Sequence, residues 1–246
     1  MPVEPSEFLV AAAMIAAAYF VFGLSGFGSG LVAIPVLTHL WPVQFVLPVM
    51  VVLDLAASSS VGVRERRHAK WRELLYLTPF TFVGLIMGVT LLVTLPQNIT
   101  LASLGAAVML FGFLSLRSRG PRRPVSAGWV VPTGLVSGVA SGLFGVGGAP
   151  AVIYLSGRIS DKSVLRATLA TMLFISVVIR AVLLVAAGLL AGRELLTAAA
   201  LAPFGLIGLL AGSRIHLKLS REQFARFVAG LVIMAGLSLI ARSLLG

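Results

Sequence analysis

The chain has 246 residues, of which 59% are hydrophobic and only 11% are charged, and its formal net charge is +11. A soluble domain carries about 25% charged residues, so this composition indicates an integral membrane protein built from helices. There are no cysteines, which excludes disulfides, thiolate metal sites and thiol catalysis. Because the Lys and Arg residues fall in short stretches between apolar segments, the positive charge indicates membrane orientation rather than nucleic-acid binding.

The apolar sequence divides into ten segments, five on each side of a basic stretch at residues 117–124. The first five lie at residues 8–24, 30–40, 45–63, 74–95 and 99–116. The second five lie at residues 128–143, 149–155, 167–191, 195–213 and 224–241. A helix needs about 20 residues to cross the hydrocarbon core, so the segments at 30–40 and 149–155 predict half-helices or re-entrant pieces. Glu4 and Glu7 precede the first segment and no basic residue does, which favours a retained span over a cleaved signal.

Two glycine-rich breaks interrupt the apolar sequence, GLSGFGSG at residues 23–30 and GLFGVGGA at residues 142–149. Backbone without regular helix cannot face hydrocarbon, so the breaks predict a protein-walled cavity, and paired broken helices hold the substrate in many secondary transporters. A restarted helix presents unpaired N–H groups and the positive end of its dipole, which suits an anion's oxygen, and glycine permits a close approach. The alternative is that the glycines only let helices pack closely. The predicted substrate-binding residues in the breaks are Ser25, Gly26, Gly28, Ser29, Gly30, Gly145, Gly147, Gly148 and Ala149.

The two series of segments are copies of one another. Residues 77–80 read LTPF and are followed by Gly84 and Gly88, while residues 201–204 read LAPF and are followed by Gly208 and Gly212 at the same offset. We therefore predict an all-α polytopic membrane protein of about ten helical segments, some broken or short. The single transmembrane domain, residues 1–246, contains two repeats at about 6–117 and 128–244, joined by the basic linker 117–127.

The basic residues distinguish between two membrane topologies. If each half crosses the membrane five times, 16 Lys and Arg residues lie on one side and 2 on the other. If the short segment of each half is instead only a re-entrant loop, the division becomes 11 against 7. The positive-inside rule favours the first arrangement, which predicts inverted repeats in the cytoplasmic membrane with both termini outside.

Two ionisable residues lie deep in apolar segments. Asp54 is about 15 Å from each end of its segment, and Arg180 is about 18–21 Å from the neighbouring boundaries, at 1.5 Å per residue. Charges at such depth are costly, so a functional role is the default expectation. Arg180 is predicted to bind the anion, and Asp54 to carry a proton or to pair with Arg180. A purely structural pair is the alternative. Other polar residues in the apolar segments are candidates to line the path, but hydrogen bonding between helices is the expected role of each; they are Ser58, Ser59, Ser60, Thr168, Thr171 and Ser176.

An enzymatic function is a weaker alternative. Residues 23–26 match the Gly-x-Ser-Gly of rhomboid intramembrane serine proteases, but a nucleophilic Ser25 needs a base within reach. None of the three histidines is in the middle of an apolar segment, and the second break has Phe144 in place of Ser25. A channel, or a scaffold subunit that does not transport, stays open as a third class. No metal or cofactor is expected.

The chain resembles the TauE/SafE sulfite exporter family, also called the TSUP permeases. The residues that carry the resemblance are the repeated half that opens on a glycine break, Pro35 or Pro150 in or just after it, and the basic loop at residues 64–67. The resemblance covers nearly the whole chain. It implies a permease for small sulfur oxyanions such as sulfite and organosulfonates, with the lipid bilayer and a coupling proton or ion as further partners. Because Ala149 replaces Gly30 in the second break, unequal roles are expected for the halves.

Overall fold

The computed structural model describes residues 4–26, 28–117, 125–214, 230 and 233–243. Over these residues the chain is helical and contains no strand, which confirms the all-α class and the approximate number of segments. The helices are α1 (Pro5–Ser25), α2 (Ser29–Leu40), α3 (Val43–Glu65), α4 (Trp71–Thr94), α5 (Gln97–Arg117), α6 (Val130–Phe144), α7 (Gly148–Ser156), α8 (Lys162–Ala186), α9 (Gly192–Arg214) and α10 (Ile233–Ser243). Four of them, α1, α4, α8 and α9, contain stretches long and apolar enough to cross a membrane. The predicted linker lies mostly outside the described residues.

One helix differs clearly from its predicted bounds. The eighth segment was expected at residues 167–191, but α8 begins and ends five residues earlier. It begins earlier because the Asp161 side chain accepts hydrogen bonds from the N–H groups of Ser163 and Val164 at 2.8 and 2.9 Å, which is an N-cap. It ends earlier because Gly188, two residues after the helix, adopts a φ of 72°. The residues that follow are apolar, so the sequence did not indicate this helix end.

The described helices form two compact units. The first takes residues from Met1–Leu47, Leu95–Arg119 and Leu196–Gly246, and so contains α1, α2, α5, most of α9, and α10. The second takes residues from Pro48–Thr94 and Gly120–Leu195, and so contains most of α3 together with α4, α6, α7 and α8. Each unit therefore combines helices from both predicted repeats, and the duplication stays a prediction.

Each unit contains a helix pair that packs through two glycines of one helix. In the first unit, Gly208 and Gly212 of α9 lie against backbone carbonyls of α1, and a Cβ at either position would collide with them. In the second unit, Gly84 and Gly88 of α4 lie in the same way against carbonyls of α6. Close backbone approach at small residues is a common source of packing energy between helices in membranes. The glycines that mark the repeat in the sequence thus make equivalent contacts in both units.

Each glycine break reverses the chain, so that α1–α2 and α6–α7 are helical hairpins. In the second unit, the Val125 N–H donates to the Gly157 carbonyl at 3.4 Å, and Arg158 Nη1 donates to the Val125 carbonyl at 3.5 Å. In the first unit, Trp41 Nε1 donates to Glu7 Oε2 at 3.1 Å. The residues that enter and leave each hairpin are therefore neighbours.

The C-terminal helix ends near the open end of the first hairpin. Arg242 Nη1 donates to the Thr38 carbonyl at 2.6 Å. His39 contacts the Pro35 carbonyl through Nδ1 and the Ser238 hydroxyl through Nε2, both at 2.8 Å. Since Glu7 also contacts this region through Trp41, the beginning of α1 and the end of α10 lie at the same end of the first unit.

Candidate anion site at the glycine breaks

The second break is a tight reversal that is stabilised by backbone hydrogen bonds. Gly145 follows α6 with a φ of 69°, and its N–H donates to the Ser141 carbonyl at 3.0 Å. This 5→1 bond with a left-handed glycine is an αL C-cap, and the next N–H, of Val146, donates to the Ala140 carbonyl at 3.2 Å. Gly147 then packs against α6, where a methyl group would collide with the Ser137 carbonyl. The Ser137 hydroxyl donates to the Gly147 carbonyl and closes the reversal.

The first break reverses the chain with two left-handed glycines. Gly26 follows α1 with a φ of 79°, and its N–H donates to the Phe22 carbonyl at 2.7 Å. Gly28 precedes α2 with a φ of 98°. Residues with a side chain rarely adopt these φ angles, so glycine is required at both positions for conformational reasons. Ser29 is buried at the start of α2, whereas the side chain of Ser25 lies outside what the structure describes.

The helices that follow the breaks begin without a side-chain cap. The N-cap residues of α2 and α7 are Gly28 and Gly147, which have no side chain to accept from the first turn. The first N–H groups of any helix lack partners within that helix, and they lie at the positive end of its dipole. In α7 these groups include the amides of Gly148 and Ala149, and Pro150 contributes no donor. The side chain of Ala149 is not among the described parts of the chain.

The two deep charges form a buried ion pair in the second unit. Arg180 Nη2 of α8 donates to Asp54 Oδ2 of α3 at 3.0 Å, and the two side chains are 2% and 9% exposed. Arg180 Nη1 also donates to the Ser141 carbonyl at 3.2 Å. That carbonyl also accepts from the Gly145 N–H at the end of α6, so the guanidinium group lies at the second break. The pairing of Asp54 with Arg180, one of the predicted alternatives, is thus observed.

Arg180 interacts with the negative end of the α6 dipole and has further N–H donors for an anion. The carbonyl groups at the end of α6 form the negative end of the helix dipole, and a cation there is favourable. A guanidinium group has five N–H donors, of which Asp54 and the Ser141 carbonyl each accept one. The remaining donors are available beside a helix reversal, in a place that the sequence suggested for an anion. The residues of the first break belong to the other unit.

Two polar atoms in this region have no partner. Among the residues that the structure describes, the buried side-chain nitrogen and oxygen atoms without a hydrogen bond are Nε of Arg180 and Oγ of Ser58. Ser58 is 4% exposed and lies on α3, one turn after Asp54. The expected hydrogen bond from Ser58 to another helix is therefore not formed within the described chain. The sequence signal for Ser58 was its position four residues after Asp54, on the same face of the helix.

A second buried carboxylate, which sequence analysis missed, fixes the other end of α7. Glu73 of α4 is 3% exposed and accepts two hydrogen bonds from Arg158, from Nη2 at 3.0 Å and from Nε at 3.3 Å. Tyr154 donates to the same carboxylate at 3.4 Å, and Lys70 Nζ lies 3.7 Å from it. The hydrogen bond to Glu73 raises the pKa of Arg158, which keeps the guanidinium group charged. The cluster joins the loop after α7 to the start of α4.

Comparison with known proteins agrees with this architecture. The family model described as "Sulfite exporter TauE/SafE" matches residues 10–239. A "Probable inner membrane transporter protein TsaS" of Comamonas testosteroni is 26% identical over 193 residues, which cover 77% of this chain and 80% of that protein. A "Probable sulfite/organosulfonate exporter TauE" of Cupriavidus necator is 26% identical over 234 residues, which cover 93% of this chain and 91% of that protein. No solved structure matches the chain.

The match extends through both glycine breaks, the buried ion pair and the two glycine-packed helix pairs. The apolar helices and the transporter relatives identify a multi-pass membrane transporter. The chain belongs to the TauE/SafE sulfite exporter family.

Proposed function

We propose that this protein is a permease that moves sulfite, organosulfonates or related small oxyanions across the cell membrane by alternating access, without an enzymatic step or a cofactor. The relative named as a sulfite/organosulfonate exporter, aligned over nearly the whole chain, supports this class of substrate. The observation in the molecule that carries the proposal is the buried Arg180 beside the second break. A desolvated cation beside an uncapped helix start suits an oxyanion.

In the second unit, the proposed site combines Arg180 with backbone amides at the second break. In the second unit, Arg180 contacts the Ser141 carbonyl, and Ser141 packs against Gly147 at the beginning of the reversal. Asp54 balances the charge of Arg180 when the site is empty and is the proposed residue for coupling to a proton. The proposed substrate-binding residues of the second unit are Arg180, Gly145, Gly147, Gly148 and Ala149, and those of the first unit are Ser25, Gly26, Gly28, Ser29 and Gly30.

The proposed orientation places the basic loops in the cytoplasm and both termini outside. Contacts in the second unit support it. Lys70, which follows the first basic loop, donates from its N–H to Thr168 at 2.9 Å and from Nζ to the Arg158 carbonyl at 3.5 Å. Val125, which follows the second basic loop, contacts Gly157 and Arg158. Residues that follow two of the basic stretches thus lie beside Arg158, where a third begins, as in the 16-to-2 arrangement and unlike the 11-to-7 alternative.

Flux measurements in proteoliposomes test the proposed function. The purified protein should transport labelled sulfite or a small sulfonate with saturation kinetics, and acetate or another small carboxylate should compete weakly. Saturation is expected because alternating access binds one substrate in each cycle, whereas a channel gives flux that rises nearly linearly with concentration. A protein that transports none of sulfite, thiosulfate and sulfonates would contradict the proposal.

A further inference from the structure

The two unpartnered polar atoms of the second unit belong to the two helices of the buried ion pair. Nε of Arg180 and Oγ of Ser58 are both inaccessible and both lack a hydrogen bond among the described residues. Buried polar groups in proteins are nearly always paired, and an unpaired one is costly. Two such atoms on the helices that meet at Asp54 therefore indicate a partner that binds there.

Ser58 does not use the bond that a serine in a helix ordinarily makes. The neighbouring Ser59 donates to the Ala56 carbonyl at 3.0 Å, and Thr171 of α8 donates to the Ala167 carbonyl at 2.8 Å. These bonds to the preceding turn satisfy a hydroxyl group without any other partner. Ser58 forms none, although it lies in the same stretch of helix as Ser59. Its hydroxyl group is thus left available in a buried position.

The chemistry of the two atoms defines the missing partner. Nε of Arg180 can only donate, so the partner must present an acceptor, and the Ser58 hydroxyl group can donate to a second acceptor. Residues four apart share one face of a helix, which places Ser58 beside Asp54, the residue that accepts from Nη2 of the same guanidinium group. Because Asp54 already neutralises Arg180, net charge attracts an anion weakly here. Neutral donors then contribute much of the affinity.

We propose that Ser58 is a substrate-binding residue, whose hydroxyl group donates to one oxygen of the oxyanion while another oxygen accepts from Nε of Arg180. The proposal rests on the proposed function and adds a donor outside the glycine breaks. It also explains why the Ser58 hydroxyl group of α3 is buried without a hydrogen bond to the described residues. A purely structural ion pair does not require such a group.

The test compares Ser58→Ala with Ser59→Ala in the full-length protein, with sodium sulfite as the probe and sodium chloride at equal ionic strength as the reference. Loss of one hydrogen bond to a charged ligand should weaken sulfite binding about tenfold or more in Ser58→Ala, whereas Ser59→Ala should bind as the unaltered protein does. Thermal unfolding without sulfite provides a second measurement. Because Ser58→Ala removes an unpaired buried hydroxyl group, its Tm should be unchanged or higher.

The outcomes separate the two proposals. If the unaltered protein transports sulfite and Ser58→Ala binds it equally well, Ser58 is not a ligand and the proposed function stands. A lower Tm for Ser58→Ala, with an unchanged response to sulfite, would show a structural role and overturn the inference in the same way. If the unaltered protein neither binds nor transports sulfite or methanesulfonate, the proposed function fails, and the assignment of Ser58 fails with it.

Discussion

The buried pair of Asp54 and Arg180 allows stability and transport to be separated. Replacing Arg180 with Gln removes one partner and leaves a carboxylate that is only 9% exposed. The Ser141 carbonyl still accepts from the Gly145 N–H at 3.0 Å, so the loss is confined to the pair. Breaking a buried pair from one side costs about 3–5 kcal/mol. For a chain of this size, about 2–4 °C per kcal/mol corresponds to a fall in Tm of about 6–20 °C.

The double replacement, Asp54→Asn with Arg180→Gln, removes both charges and should recover most of the lost stability. Transport should not recover, because the proposed site loses its only buried cation among the described residues. The assays are thermal unfolding of the purified protein, followed by size-exclusion chromatography, and sulfite flux in proteoliposomes at matched protein amounts. A double variant that regains both stability and normal flux would refute a role of either residue in transport and leave a structural pair.

Three further predictions follow from the contacts. A cysteine at Ser160, exposed in the loop after α7, should react with an impermeant thiol reagent only from the cytoplasm, and one at Gly192 only from outside. Labelling of both from one side would exclude the proposed topology. Gly147→Ala should lower Tm because its methyl group collides with α6, while Gly192→Ala, which has open space around it, should not. Equal Tm values would show that the reversal relaxes freely. Glu73→Gln should cost about 1.5–3 kcal/mol through weakened bonds to Arg158, whereas Glu194→Gln, in the first turn of α9, should cost less because it weakens a single bond, from the Ala191 N–H. Equal losses in unfolding experiments would contradict this asymmetry.

The positions of the helix ends at both breaks could be predicted from the sequence. Apolar runs interrupted by glycine indicate where a helix stops, and α1 and α6 end within a residue of the predicted ends. The direction of the chain afterwards could not be predicted, because a glycine permits many backbone angles and does not specify a reversal. Gly147 illustrates the difference. Its φ of −66° suits any residue, and it is required because α6 approaches too closely for a side chain.

The candidate site was predictable in its charges and not in its backbone contacts. Asp54 and Arg180 are conspicuous because charged residues are rare in apolar segments, so their pairing could be anticipated. The contact of Arg180 with the Ser141 carbonyl involves a group that every residue carries, and no residue type signals it. The tie between Glu73 and Arg158 was missed because both residues lie in basic, polar stretches that resemble solvated loops, whereas folding buries Glu73.

The contacts between the first and last residues of each hairpin have a consequence for biosynthesis. Because Val125 contacts Gly157 and Glu7 contacts Trp41, each hairpin begins and ends at the same membrane face. The nine residues of α7 rise only about 14 Å, less than half of the hydrocarbon thickness. The second hairpin therefore requires no polar loop to be carried across the bilayer during insertion. We expect it to enter the membrane as one unit, tip first, after its flanking helices have fixed the orientation.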